Sequence, residues 1–272
     1  MKKNHLKIYN TLTNQLEAFV PTNPQEISFY SCGPTVYDDA HIGNFRSFLA
    51  ADLLRRWLES PLCTLINDPD SPQQTTRTVV HVMNITDVGH MTDDSNADGG
   101  GEDKMELAAR RIEQAKKSGT IPQDSGVDPS NPREVAAYYE ARFKQDAIAL
   151  GLKVAIEAQS DPSLMPKASE HIQGMKTVIE QLLKDNHAYA AGSPGARAIY
   201  FNTASFPTYG RLSGNTLDQL KGGAGGRVDD AQQSEKHNPA DFLLWKEDAS
   251  HKMKWESPVI PGLSDDEQWG EG

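Results

Sequence analysis

Apolar positions change their spacing several times along this chain, and each change marks an element. Leu6, Ile8, Tyr9 and Leu12 lie in a partly alternating run that predicts a short strand, with a turn at Thr13-Asn14. Ile27 to Cys32 predicts the first core strand. Phe45, Phe48, Leu49, Leu53, Trp57 and Leu58 then recur at helical spacing, with Arg46, Asp52, Arg55 and Arg56 largely on other faces. Thr78 to Ile85 is β-branched and mostly apolar, the pattern of a buried parallel strand. Strand, helix and strand over this distance predict one right-handed crossover of a nucleotide-binding sheet, where ligands sit outside the carboxyl ends of the strands. Cys32 and Thr86 fall at two such ends and are expected to face one crevice.

Asn67 to Gln74 is polar and longer than a usual connection, so it predicts a surface insertion. Asp93 to Gly101 predicts an acidic loop; its glycine and the glutamate that follows are not at the offsets of a calcium-binding loop. Helices are predicted over Glu102 to Lys117, from Asn131-Pro132 to about Leu150, and from near Met165-Pro166 to Asn186. Ala198 to Phe201 and the turn Pro207 to Gly210 suggest a small hairpin. Leu220 to Arg227 reads as a glycine-rich linker, because Lys221-Gly222-Gly223 lacks the Gly-Lys-Ser/Thr ending of a phosphate loop. The fold class is α/β: a Rossmann-like parallel sheet carrying a helical insertion.

Composition narrows the class without choosing a function. A chain of 272 residues can bury a real core in one large or two smaller domains. Net charge is 27 − 38 = −11, which argues against a broad, nonspecific nucleic-acid binder and leaves room only for a local basic patch. No apolar run reaches the length of a membrane span, and Met1-Lys2-Lys3-Asn4-His5 is not followed by the apolar region of a secretory signal. Two cysteines, Cys32 and Cys63, cannot build a disulfide framework, so a cytoplasmic location is expected.

The chemistry concentrates in Cys32-Gly33-Pro34-Thr35-Val36-Tyr37-Asp38-Asp39-Ala40-His41-Ile42-Gly43-Asn44, which reads as strand, Gly/Pro turn and helix start. Unpaired N–H groups and a partial positive charge at a helix N-terminus suit a phosphate. His41 and Asn44 add side-chain donors there, and Gly43 lets a flat ligand approach the backbone. Read alone, His41 and Asn44 are equally suited to capping the helix. A lone Cys32 is equally a small buried hydrophobe. Thr86 is equally a strand-end threonine bonded to backbone.

This stretch resembles the signature of the class I aminoacyl-tRNA synthetases and, with its cysteine, the cysteinyl-tRNA synthetases. Asn84-Ile85-Thr86-Asp87-Val88, Gly101-Glu102-Asp103-Lys104-Met105, Asn238 to Lys246 and Trp255-Glu256-Ser257-Pro258 resemble further blocks of that family in the same order. The resemblance implies ATP-dependent activation of L-cysteine and its transfer to tRNA(Cys), a step of protein biosynthesis, by a protein expected to be monomeric. It implies His41 and Asn44 as catalytic residues, and Pro34, Thr35, Val36, Tyr37, His41, Ile42, Gly43 and Asn44 as the ATP site, with Mg²⁺ on the phosphates. Thr35 and Thr86 would bind cysteine, and Cys32 would be one ligand of a zinc ion that takes the substrate thiolate. Zinc binds thiolate well and a neutral hydroxyl poorly, so it would separate cysteine from serine where an apolar pocket cannot.

The resemblance also divides the chain: residues 1–90 as the first half of the catalytic domain, 91–235 as a mainly helical connective insertion, and 236–272 as the return segment. The family continues past the equivalent of Gly272 with the remaining zinc ligands, a lysine-rich loop and an anticodon-stem domain. The chain by itself is therefore expected to be inactive and to bind zinc weakly. His81, His90 and His237 match no family ligand and are expected in core or surface roles; Cys63 is expected to be structural, and Trp245 and Trp255 to be packing anchors. Two alternatives are a ligase of the same class joining cysteine to an amino-sugar, and a noncatalytic nucleotide- or partner-binding module. The geometric expectation is that Cys32 and His41 converge on one pocket.

Overall fold

The structure, a computed structural model, describes residues 5–66, 77–88, 91–93, 100–121, 126–214, 235–249, 251–264 and 267–272, with only the backbone described over 91–93 and 100–106. The strands are β1 (Lys7–Asn10), β2 (Gln15–Ala18), β3 (Glu26–Ser31), β4 (Thr78–Met83), β5 (Met91–Asp93), β6 (Gly100–Asp103), β7 (Ala188–Ala191), β8 (Ala198–Phe201) and β9 (Phe242–Lys246). The helices are α1 (Ile42–Glu59), α2 (Lys104–Lys117), α3 (Pro132–Ala149), α4 (Lys153–Glu157) and α5 (Ile172–Lys184). They are divided between two units, one of residues 1–87 with 136–168 and the other of 88–135 with 169–272. The polar loop Asn67 to Gln74, most of the acidic stretch after Asp93, His90 and the glycine-rich run Leu220 to Arg227 lie outside the described residues.

In the first unit β1 and β2 form the hairpin that the alternation at Leu6 to Leu12 foreshadows, with Asn14 at φ 55° in its turn. β3 and β4 pair in parallel, Glu26 opposite Thr78 and Ser31 opposite Met83. This is the crossover arrangement that the sequence predicts, with α1 between the two strands in the chain. Ile27 and Val79 from the two strands pack with Leu58, Cys63 and Leu65, and with Leu6, Phe19, Phe29 and Leu54 around them. Cys63 is fully buried and its thiol is pushed up by that burial, as expected of a packing residue.

Two predicted elements are corrected. The buried face of α1 is Phe45, Phe48, Asp52, Arg55 and Leu58, whereas Leu53 and Trp57, expected on that face, are 65% and 45% exposed. The helix is rotated from its apolar reading because α4 supplies partners for the charges. Arg55 donates to Glu59 at 3.0 Å and to Glu157 at 2.7 Å, and Asp52 accepts from the Lys153 N–H at 2.8 Å while pairing with Arg56. These partners offset the cost of burying the ions, although Arg55 Nη1 is buried without one among the described residues. His81 lies beside this network, stacked on Phe29 and bonded through Nε2 to Ser31 Oγ at 2.8 Å. Burial, with the Arg55 charge, lowers its pKa and favours the neutral ring.

The third helix does not begin at Met165-Pro166. Short 3-10 turns occupy Pro162–Leu164 and Ala168–Glu170, and α5 starts at Ile172. The reason is tertiary: the Ile85 N–H donates to the Pro166 carbonyl at 2.8 Å and the Ala168 N–H to the Ile85 carbonyl at 3.0 Å. Residues 166–168 are thus held beside the end of β4 as an extended bridge.

In the second unit β7, β8 and β9 form an antiparallel sheet in that order, and α5 packs on it through Ile179, with Ile260, Trp245 and Trp269 in the same cluster. The hairpin partner of Ala198–Phe201 is the strand before it, β7, joined through Gly192 and Gly195 at positive φ. Phe242–Lys246 of the segment read as the return to the catalytic domain supplies the third strand, paired with β8. Trp245 packs in the core cluster, and Trp255 carries the Arg133 guanidinium 5.6 Å from its ring centre.

Glu247 fastens the end of β9. It accepts from Arg197 Nε at 2.7 Å and Nη2 at 2.8 Å, and from the N–H groups of Gly195 at 2.9 Å and Gly270 at 3.0 Å. The Arg197 bonds above all, helped by the two amides, hold its pKa down from 4.5 to about 2 against the opposing effect of burial. A depressed carboxyl stabilises fully above its unfolded pKa and loses that contribution as pH falls through the folded value. Glu247→Gln is therefore expected to destabilise this unit at pH 7 and to flatten its acid unfolding between pH 4.5 and about 2. The contribution at stake is up to about 3 kcal/mol. Urea unfolding followed by tryptophan fluorescence across that range checks it; an unchanged acid slope in the variant removes Glu247 from the explanation.

Candidate nucleotide site at the start of α1

The turn after β3 and the first turn of α1 enclose a cavity of about 240 Å³ lined by Gly33, Pro34, Thr35, Tyr37, Asp38, Asp39, Ala40, His41, Asn44 and Phe48. Its floor is set by the sheet. The Val36 N–H donates to the Thr86 carbonyl at 3.1 Å and the Thr86 N–H to the Pro34 carbonyl at 3.0 Å, so Thr35 and Thr86 pair as an extra rung beyond the ends of β3 and β4. Asn84 ties the same corner: its Oδ1 accepts from the Gly33 N–H at 3.1 Å and from the Tyr30 hydroxyl at 2.8 Å, and its Nδ2 donates to Thr86 Oγ1 at 2.9 Å.

His41 is the N-cap of α1. Its Nδ1 accepts from the Gly43 N–H at 3.0 Å, and Asn44 Oδ1 accepts from the His41 N–H at 3.0 Å, a reciprocal capping box. The two readings of these side chains are therefore compatible. An accepting Nδ1 requires the tautomer with its proton on Nε2, and an accepting Oδ1 leaves the Asn44 amide hydrogens unspent in the box. Each residue uses one atom to fix the helix start and keeps a donor on the side chain that lines the cavity. No acidic residue stands in the first turn of α1, so its own side chains do not offset the positive end of the helix.

The remaining candidates are placed as follows. Pro34, Thr35 and Tyr37 line the cavity with His41 and Asn44. Val36 is buried beneath it at 1% exposure and Ile42 is 89% exposed beside it. Gly43 is not in the wall; a Cβ there would come within 2.7 Å of the His41 ring, so the glycine makes room for that ring. Thr86 is half-buried on the same rung as Thr35 but outside the lining. Cys32 is exposed at the end of β3 and also outside the lining, so the expected convergence of Cys32 and His41 on one cavity is not found. Among the described residues no three His, Cys, Asp or Glu side chains gather to hold a metal. Cys32 thus has no set of metal-binding companions among the described residues.

Sequence reasoning missed three contributors. Asn84 interrupts an apolar strand end with a polar side chain two residues before Thr86, a signal present in the sequence. Asp39 lies within the signature, but its partner does not. Arg142 on α3 donates to both Asp39 oxygens, through Nε to Oδ1 and through Nη2 to Oδ2 at 3.0 Å, and no local pattern marks it. Phe143, next to it, stacks on Phe45 with centroids 5.5 Å apart and meets Phe48 edge-on at 5.3 Å, which fixes α3 against the start of α1.

A parallel crossover in which the end of the first strand and the helix start wall one cavity is the arrangement of a nucleotide-binding α/β domain. The sequence specifies which one: residues 18–263 match the model of the tRNA synthetases class I (C) catalytic domain, and the chain belongs to that family. It is 38% identical over 253 residues to a cysteine–tRNA ligase of Salinibacter ruber, covering 93% of this chain and 41% of that protein. It is 38% identical over 270 residues to one of Chlorobaculum tepidum, covering 98% of this chain and 44% of that protein. The chain thus spans less than half the length of these curated relatives. No helix among the described residues is long and apolar enough to cross a membrane.

Proposed function

We propose that this chain carries the nucleotide-binding part of a cysteine–tRNA ligase, which activates L-cysteine with MgATP to cysteinyl-adenylate for transfer to tRNA(Cys). The observation that carries the reading is the capping box of His41 and Asn44 on the wall of a cavity at the start of α1. In the activation step the cysteine carboxylate attacks the α-phosphate and pyrophosphate leaves. Negative charge grows on phosphate oxygens, and donors already held in place stabilise it without reorganisation. The His41 Nε2–H, the Asn44 amide and the positive end of α1 are such donors. Thr35 and Thr86 are proposed for the amino acid, and Cys32 as one thiolate donor to zinc that favours cysteine over serine; the described residues do not complete a zinc site. The cysteine–amino-sugar ligase of the same class would share this cavity and differ in its acceptor, so tRNA(Cys) charging separates the two.

The test keeps the cap and removes the donor. Serine is a favoured N-cap whose single short oxygen stays against the helix, so His41→Ser retains an acceptor for the Gly43 N–H while losing the ring and its N–H. MgATP affinity, measured by calorimetry on the chain, is expected to fall about tenfold to a hundredfold, the value of a hydrogen bond to a charged group. The melting temperature should hold within a few degrees. Equal affinity for MgATP in variant and wild type would take His41 out of the site, and no binding by either would take the nucleotide reading away from this cavity.

A further inference from the structure

Two carboxylates, Asp38 and Asp39, stand in the wall of a cavity proposed for a polyphosphate, where uncompensated negative charge would work against the ligand. Arg142 answers one of them. Its planar fork engages both oxygens of Asp39, a geometry that lysine cannot reproduce, and its guanidinium lies 5.6 Å from the centre of the Tyr138 ring. Asp39 is further oriented by its own N–H, which donates to Asp38 Oδ1 at 2.9 Å. Both members of the pair are about half exposed, 49% and 51%, so the pair adds little to the stability of the fold. Its larger consequence is the charge seen from inside the cavity.

We propose that Arg142 is a positioning residue for the nucleotide site, holding Asp39 in a neutralised pair so that the cavity accepts a triphosphate. This rests on the nucleotide reading given above. The effect of an unmasked carboxylate is multiplied by the several charges of the ligand and is felt more strongly in a concave wall than on an open surface. The triphosphate itself, rather than the base or the sugar, is the part of the ligand that should sense it.

Inorganic tripolyphosphate binding to the chain, measured by calorimetry at low and moderate salt, is the test. Arg142→Ala should weaken it about tenfold at low salt, with the loss shrinking as salt rises. Arg142→Lys, which keeps the charge without the fork, should lose less. The combination Arg142→Ala with Asp39→Asn removes both charges and should return affinity to within about twofold of wild type, since the carboxylate that Arg142 masks is gone with it. A structural brace would behave differently: the double variant would bind as poorly as Arg142→Ala, and that result overturns the proposal. Wild type binding tripolyphosphate with Arg142→Ala no weaker overturns it too, while leaving the nucleotide reading in place. Wild type binding neither tripolyphosphate nor MgATP removes both.

Discussion

Asp241→Ala is expected to lower the stability of the second unit by about 3–5 kcal/mol, the range for leaving buried charged or polar partners unmatched. Asp241 is 1% exposed, and among the described residues its hydrogen-bond partners carry no countercharge. Its Oδ1 accepts from the Thr203 N–H at 2.8 Å and hydroxyl at 2.7 Å, and its Oδ2 from the Tyr189 hydroxyl at 2.8 Å and the Asn238 N–H at 3.0 Å. The carboxylate therefore joins the turn before β9 to β7 and to the residues after β8. Alanine strands those donors, and Tyr189 suffers further because its ring also stacks on His237 at 3.7 Å and its oxygen accepts the His237 N–H. Asp241→Asn should lose less: one amide oxygen can still accept, but the NH₂ must face donors. Urea unfolding followed by tryptophan fluorescence measures both. A loss below about 1 kcal/mol for the alanine variant would mean that water replaces the carboxylate easily.

The same residue shows what the sequence conceals. Asn238 to Lys246 was legible as a block of the family, although not as the strand that Phe242–Lys246 forms. That its aspartate would anchor a hairpin some forty residues earlier was not legible either, because a hydrogen-bond acceptor leaves no periodicity. The crossover of β3, α1 and β4 was legible because each element carries its own pattern of apolar positions. The face of α1 was misread for the converse reason. Hydropathy alone puts Leu53 and Trp57 inside and Asp52 and Arg55 outside, and only α4, a short helix one hundred residues away, makes the charged face the buried one. The start of α5 moved because Pro166 is claimed by the end of β4, a contact no window of local sequence contains.

The candidate site divides along the same line. Pro34 to Asn44 is contiguous, so its cavity could be anticipated as a unit, although not the exclusion of Cys32 from its wall. The double use of His41 and Asn44, one atom for the helix and one donor kept, was visible only as two competing readings until the geometry joined them. Arg142 came from a distant helix and could not be read at all.

Gly33→Ala should abolish nucleotide binding and cost the first unit about 3 kcal/mol or more, the upper range for overpacking against a rigid neighbour. A Cβ on Gly33 would sit 1.8 Å from the Asn84 carbonyl oxygen and 2.8 Å from Met83 Cγ. The methionine can move; the carbonyl belongs to the backbone beyond the last rung of β4. Relief therefore requires the turn after β3 to lift by more than an ångström, which stretches the Gly33–Asn84 bond and the two backbone bonds linking Pro34 and Val36 to Thr86. Those bonds set the floor under Thr35, so the cavity wall moves with them. Gly43→Ala makes the useful comparison, because there the obstacle is the His41 ring at 2.7 Å, a side chain that can swing aside at the expense of its cap. It should cost about 1 kcal/mol, the value of one N-cap, and weaken MgATP without abolishing it. Calorimetry with MgATP and thermal unfolding of the two variants give the ranking. If Gly33→Ala binds MgATP as wild type does, the corner held by Asn84 is not what shapes the site.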